Sequence, residues 1–165
     1  MDRSILESAL DCLKELTPLK TDCGAYCDKA CCKDSGEAGS GVWLLPGEDC
    51  KDYNWANVSD TVMPVTNQSV KAIYCLSPCE RDTRPFLCRI FPLTPYYSNR
   101  KGDWSVRMDR RAAPICPLFA YGKTGLSTDF VAAAEKAVRI LAKDEDYLKI
   151  LRFLEQEESA YRMEL

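Results

Sequence analysis

Four of the ten cysteines in this chain, Cys23, Cys27, Cys31 and Cys32, follow the spacing C-x3-C-x3-C-C. A second set comprises Cys75-x3-Cys79, Cys88 within Arg84-Pro85-Phe86-Leu87-Cys88-Arg89-Ile90-Phe91-Pro92, and Cys116 within Pro114-Ile115-Cys116-Pro117. Closely spaced thiols reach one soft metal ion without a long loop to order, and the chain has no histidine to share the ligation. Cys23, Cys27, Cys31, Cys32, Cys75, Cys79, Cys88 and Cys116 are therefore the expected metal ligands. Proline lacks an N–H donor and stiffens the chain, so a cysteine set among prolines presents its sulfur from a fixed loop.

Charge balance points the same way. Four thiolates around zinc carry about two excess negative charges, which guanidinium groups can offset while donating to sulfur. Arg81, Arg84, Arg89, Arg110 and Arg111 recur around the second set, and Arg84 and Arg89, which bracket Cys88, are the expected contacts to the metal cofactor. The competing reading pairs these arginines with Asp82, Asp103 and Asp109 at the surface.

Within the first set, a helix would place Cys23, Cys27 and Cys31 on one stripe that drifts by about 40° per four residues. Cys32 would then point away, toward a second metal or a second binding loop. Asp22, Asp28 and Lys29 read as surface residues. Cys12 falls on a helical stripe with Ile5, Ala9 and Leu16 and reads as a small buried apolar residue. Cys50 sits on a loop, where a free thiol and a ligand are equally good readings. The eight remaining thiols suffice for two four-thiolate zinc sites or for one [4Fe–4S] cluster with thiols to spare. Structural considerations favour zinc, with an iron–sulfur cluster as the alternative.

The elements that must position these groups are of mixed type. Residues 4–17 have Ile5, Leu6, Ala9, Leu10, Leu13 and Leu16 at helical spacing, with Ser4 and Glu7 as a capping box and Thr17-Pro18 as the stop. Residues 22–118 hold nine of the ten cysteines and all three tryptophans among turn-forming residues. Here Gly36–Gly41 reads as a glycine-rich loop, Val42–Leu45 as a strand ended by Pro46-Gly47, and Val70–Cys75 as another. Trp104–Met108 pairs in a hairpin with the segment around Pro95-Tyr96-Tyr97, and the strands together predict one small antiparallel sheet. From residue 128 to 160 the pattern is helical. Asp129–Ala142, capped by Ser127 or Thr128, carries Phe130, Val131, Ala134, Ala137, Val138 and Leu141 on one face. A last helix begins at Asp144 with Tyr147, Leu148, Ile150, Leu151 and Leu154, before a solvated tail Glu155-Gln156-Glu157-Glu158. The expected fold is one α+β domain over residues 1–165, with an irregular cysteine-rich middle flanked by an N-terminal helix and two C-terminal helices.

Composition excludes several functions. A chain of 165 residues that is 46% hydrophobic can bury a real core. A net charge of -3 leaves no basic surplus for a phosphate backbone, so no nucleic-acid partner is expected. No apolar run approaches the ~20 residues of a membrane span, and Glu7 and Asp11 interrupt any signal-like segment, so no membrane partner and a cytoplasmic location are expected. Reduced thiols follow from that location, which argues against a disulfide framework. Gly122-Lys123-Thr124 resembles the end of a phosphate-binding loop, but Pro117 stands where its first glycine is required. Without histidine there is no Ser-His-Asp or Cys-His pair, and Glu48 and Asp49 read as a solvated turn.

The vicinal cluster together with Arg84-Pro85-x-x-Cys88-Arg89-x-Phe91-Pro92 resembles the CxxCxxCC zinc- or iron-chelating domain family, bacterial proteins that include the YkgJ-like proteins and are related to the flagellin lysine N-methylase. The resemblance covers residues 22–118. The family's C-x2-C-x2-C-C is here longer by one residue in each of two intervals. The resemblance implies a cysteine-rich site for zinc or iron. Two function classes follow: a metal-binding module whose ion holds an irregular region together, for protein contacts or metal handling, and an iron–sulfur redox protein or protein-modifying enzyme with an open coordination position.

Overall fold

A computed structural model describes residues 2–33, 41–48, 53–77 and 79–161. The fold is α+β, with small antiparallel sheets between an N-terminal helix and two C-terminal helices. Cys50, Asp49 and most of the Gly36–Gly41 segment lie outside the described residues.

Helix α1 runs Arg3–Asp11. Its N-cap is Asp2, not Ser4: the Asp2 carboxylate accepts from the Ser4 N–H at 2.9 Å, a stronger acceptor one turn position earlier than the expected hydroxyl. The α-helix also stops short of Leu16, but the chain continues in tighter turns, with Leu13 N–H donating to Leu10 O and Leu16 N–H to Leu13 O. The apolar stripe thus survives the change of pitch, with Leu6, Ala9 and Leu13 buried.

The strands form two sheets where one was expected. The first has the order β1-β3-β2, all antiparallel, with β1 at Val42–Trp43, β2 at Ala56–Val62 and β3 at Ser69–Cys75. Strand β2 has no counterpart in the sequence reading, because Asn57, Ser59 and Asp60 break any apolar pattern. It pairs with β3 along its whole length, from Ala56↔Cys75 to Val62↔Ser69, and much of it faces solvent. The second sheet is the expected hairpin, β4 at Leu93–Ser98 and β5 at Asp103–Met108. Gly102 closes its turn with φ +63°, a conformation that costs a side-chain-bearing residue dearly, and its N–H reaches Ser98 O at 2.8 Å.

Helices α4 (Thr128–Leu141) and α5 (Glu145–Ala160) pack with α1 against this hairpin. Phe130, Ala134, Ala137, Val138 and Leu141 of α4 meet Tyr147, Leu151 and Leu154 of α5 in one core. Leu93, Trp104 and Val106 of the hairpin and Phe86 and Ile90 of the short helix α3 (Phe86–Ile90) complete it. A smaller cluster of Leu44, Trp55 and Ile73 lies in the three-stranded sheet, with Cys75 and Cys79 packed against it.

Two expectations about acidic residues are overturned. The tail of α5 is solvated only in part: Gln156 is exposed, but Glu157 and Glu158 are 4% and 0% exposed. Glu157 accepts from the Val65 and Thr66 N–H groups and the Thr66 hydroxyl, fixing the β2–β3 turn. Glu158 accepts from Arg110 Nε at 2.8 Å and pairs with Arg107, fixing the exit of the hairpin. Periodicity marks these positions as polar, but it cannot foresee cationic and N–H partners brought from distant segments. Glu48 is likewise buried, accepting from Leu45 N–H at 2.8 Å and Phe86 N–H at 2.6 Å. Burial pushes its carboxyl up to about 7 against those two donors. Among the described residues, no helix is long and apolar enough to cross a membrane.

Candidate metal centre

The first cysteine set is carried by two short pieces of helix, not by one. Helix α2 spans only Cys23–Cys27, N-capped by the Asp22 side chain. It ends because Asp28 and Lys29 both take left-handed conformations, at φ 52° and 53°. The Lys29 N–H closes back onto Gly24 O at 2.9 Å, a helix-ending bond of the kind glycine usually supports. A single 3-10 turn, Ala30–Cys32, follows. The expected continuous stripe of Cys23, Cys27 and Cys31 is therefore broken in its backbone. Its consequence is kept, since all three thiols line the same cavity.

Cys88, from α3, and Cys116, from the loop after β5, border that cavity as well. Five thiols from well-separated stretches of chain thus meet at one place. Cys32 is not among the residues that line the cavity and lies close to Cys79 and Cys75. The vicinal sulfurs of Cys31 and Cys32 touch at 3.8 Å, which links the thiols of the cavity wall, Cys31 among them, to Cys32 and its neighbours Cys75 and Cys79. Cys88 sits at the seam, its neighbours being Cys75, Cys79 and Cys32 as well as Cys31. Among the described residues, no three cysteine or carboxylate side chains form a group ready to hold a metal ion.

Cys12 lies apart from all of these. It is half-buried beside the core, and its sulfur donates to Ser8 O at 3.4 Å, as an inert helical thiol does. Asp22 and Asp28 stay at the surface as expected, Asp28 pairing with Lys33 at 2.8 Å.

The thiol electrostatics favour protonation. Burial, then the nearby Asp22 and the Cys27 and Cys116 thiols, push Cys23 up to about 11 against Arg84. Burial and the Cys32 and Cys79 thiols raise Cys75 to about 11, and burial holds Cys88 well above the ordinary thiol range. Cys31 alone moves down, because its neighbour Cys32 donates to it. Any ion bound here must displace protons, so binding and proton release are coupled.

The arginines divide sharply. Arg84 Nε donates to Cys79 Sγ at 3.3 Å, the role expected of it. Arg89 lines the cavity, but its donors go to backbone carbonyls, Nε to Arg84 O at 2.9 Å, Nη2 to Asp82 O at 2.8 Å and Nη1 to Leu10 O at 3.5 Å. It braces the loop that holds Cys88. Burial, with Arg81 acting in the same direction, pulls its guanidinium below the ordinary value against the pull of Glu48 and Asp82. Arg110 and Arg111 point elsewhere, to Glu158 and Asp109, so the surface-pairing reading holds for Arg111. Asp103 is taken by Arg139 at 2.9 Å. Arg81 was not among the expected site residues. It lines the cavity, and its Nη2 is buried without a hydrogen-bond partner among the described residues, a state that costs about 1–3 kcal/mol in a neutral donor and more in a charged one. Its place in the arginine run around Cys79 and Cys88 was the one available signal.

The rest of the described cavity wall is mostly apolar, with Leu13, Leu16, Pro18, Phe91, Ile115 and Leu118, and among the described residues no aspartate or glutamate lines it. Lys123 of the phosphate-loop-like tripeptide bonds Val106 O and Glu135 instead, a structural role. Compared with known protein families, curated proteins and solved structures, the chain matches none.

Proposed function

We propose that this protein binds zinc or iron through its cysteines. The observation that carries the proposal is the lining of one cavity by five thiols from three chain segments, with guanidinium groups and, among the described residues, no carboxylate in its wall. That donor set suits a soft, thiophilic ion: sulfur ligands select zinc, copper(I) or iron–sulfur clusters, whereas harder ions require oxygen. Cys23, Cys27, Cys31, Cys88 and Cys116 would hold an ion or cluster on the cavity side, and Cys32, Cys75 and Cys79 would serve a second group or the same one through Cys88. The bound ion would supply folding free energy to a loop-rich region and, with an open coordination position, Lewis-acid or electron-transfer chemistry.

Zinc remains the preferred ion for a purely structural role. An iron–sulfur redox protein or a protein-modifying enzyme, as the likeness to the flagellin lysine N-methylase suggests, is the second reading. It is favoured by the apolar wall beside the thiols, which a closed structural site does not require. A cytoplasmic setting belongs to the same proposal, since the ligands must be reduced thiols, and the module reading leaves room for a protein partner.

The test is elemental analysis of anaerobically purified protein for zinc, iron and acid-labile sulfide, on wild type and two variants. Cys88→Ser should lose most of its metal, because a serine hydroxyl is a harder and weaker ligand. Cys12→Ser should keep its metal and change stability by roughly 1 kcal/mol through packing. Wild-type protein with no stoichiometric metal, or equal metal loss in the two variants, overturns the proposal.

A further inference from the structure

We propose that the cavity beside the thiols binds a small organic anion, a carboxylate carried on a short apolar body, with the Arg81 guanidinium as its receptor. Three guanidiniums line the cavity and two of them are committed, Arg84 to the Cys79 sulfur and Arg89 to three backbone carbonyls. Arg81 keeps a buried Nη2 with no partner among the described residues. Among the described residues no aspartate or glutamate lines the cavity wall, so Arg81 has no carboxylate partner there and a carboxylate from outside would complement it.

The chemistry of the visitor follows from the two walls. A planar guanidinium edge matches a planar carboxylate or another oxyanion, since it presents parallel N–H groups to two oxygens. Leu13, Leu16, Ile115 and Leu118 supply an apolar surface that a bare inorganic ion would leave in contact with water. Together they select an amphiphilic ion over a simple one. Ile115, 44% exposed, marks the open side through which it enters.

The inference goes beyond metal binding and does not require it. The experiment is calorimetric titration of the purified full chain with hexanoate, phenylacetate, inorganic phosphate and hexylamine, with metal counted on every sample. Hexanoate and phenylacetate should bind at least tenfold more tightly than phosphate, and hexylamine should not bind. Arg81→Gln should weaken carboxylate binding at least tenfold with metal content unchanged. Ile115→Glu, at the exposed mouth, should do the same by repulsion, and it carries the test if Arg81→Gln fails to fold. No carboxylate binding by wild type, phosphate binding as tight as hexanoate, or folded variants with undiminished binding would each overturn the proposal. So would parallel loss of metal and carboxylate in Arg81→Gln, since that would make Arg81 a counter-charge to the thiolates. Carboxylate binding by a protein without metal would defeat the metal reading and leave this one standing; metal without carboxylate binding would do the reverse.

Discussion

At the scale of single residues, five cysteines share one cavity wall while Glu48 is enclosed by two backbone donors. Spacing alone separated Cys12, on a helical stripe, from the cysteines that gather around the cavity, because a stripe position and a cluster position differ in sequence. Glu48 carried no such mark. After a strand and a Pro-Gly turn it reads as solvated, yet it is enclosed between Leu45 and Phe86 as the acceptor of both their N–H groups. Its burial depends on α3, a segment about forty residues away, and local pattern does not encode that meeting. Glu48→Ala should therefore destabilise the protein by about 2–4 kcal/mol, since two buried backbone donors lose their acceptor. Glu48→Gln, which retains one carbonyl oxygen, should cost about half as much. Urea denaturation midpoints of the three proteins at equal metal loading measure the difference, and an unchanged midpoint in the alanine variant would refute the role.

At the scale of elements, the starts of α1, α4 and α5 were readable to within a residue or two but the end of α1 was not, and strand β2 was missed because its stability comes from β3 and not from its own pattern. The break between α2 and the following 3-10 turn was also missed: Asp28 is a residue type that tolerates a left-handed backbone, but Lys29 beside it is not one that announces it. Past this break Cys31 lines the cavity while its neighbour Cys32 does not. A left-handed residue other than glycine costs roughly 1–2 kcal/mol, partly offset by the greater unfolded-state freedom that glycine brings. Lys29→Gly should thus raise stability by about 0.5 kcal/mol, and Lys29→Val, whose branched side chain fits that conformation worst, should lower it by about 1–2 kcal/mol. The ranking Gly, Lys, Val in thermal midpoint is the expected outcome, and the reverse ranking would show that the backbone there relaxes.

At the scale of the whole molecule, the α+β class and the order of its parts followed from composition and periodicity, whereas the division into two sheets did not, since register between distant strands is not written locally. The two halves draw on different sources of stability. The helices and hairpin share one large apolar core, whereas the three-stranded sheet has the small Leu44–Trp55–Ile73 cluster and, with the cysteine loops, reaches the large core through a few residues such as Met63, Cys23 and Cys116. Chelation should accordingly strip hydrogen-exchange protection from the cysteine loops and leave α4 and α5 protected; uniform protection with and without chelator would contradict this. The helical half should also show its own acid limb. Burial raises the Glu135 carboxyl, but Ser105 and Lys123 hydrogen bonds and the Lys123 and Lys101 charges outweigh it and lower it to about 2 from 4.5. A depressed carboxylate contributes stability that is fully present above pH 4.5 and lost as pH falls toward 2. Glu135→Gln should lose about 1–2 kcal/mol at pH 6, after allowance for solvent screening, and the gap to wild type should close near pH 2.

The adjacent carboxylates at the end of α5 set a phase for the molecule. Successive residues on a helix are rotated by about 100°, so Glu157 reaches the β2–β3 turn and Glu158 the hairpin exit from neighbouring positions on one rod. Adding or deleting one residue between Leu154 and Glu157 would turn both carboxylates away from their sockets at once, while the apolar contacts of Tyr147, Leu151 and Leu154 stayed in step. Helix α5 therefore works as a keyed shaft, its length set by the β2–β3 turn and the hairpin exit that its two carboxylates hold.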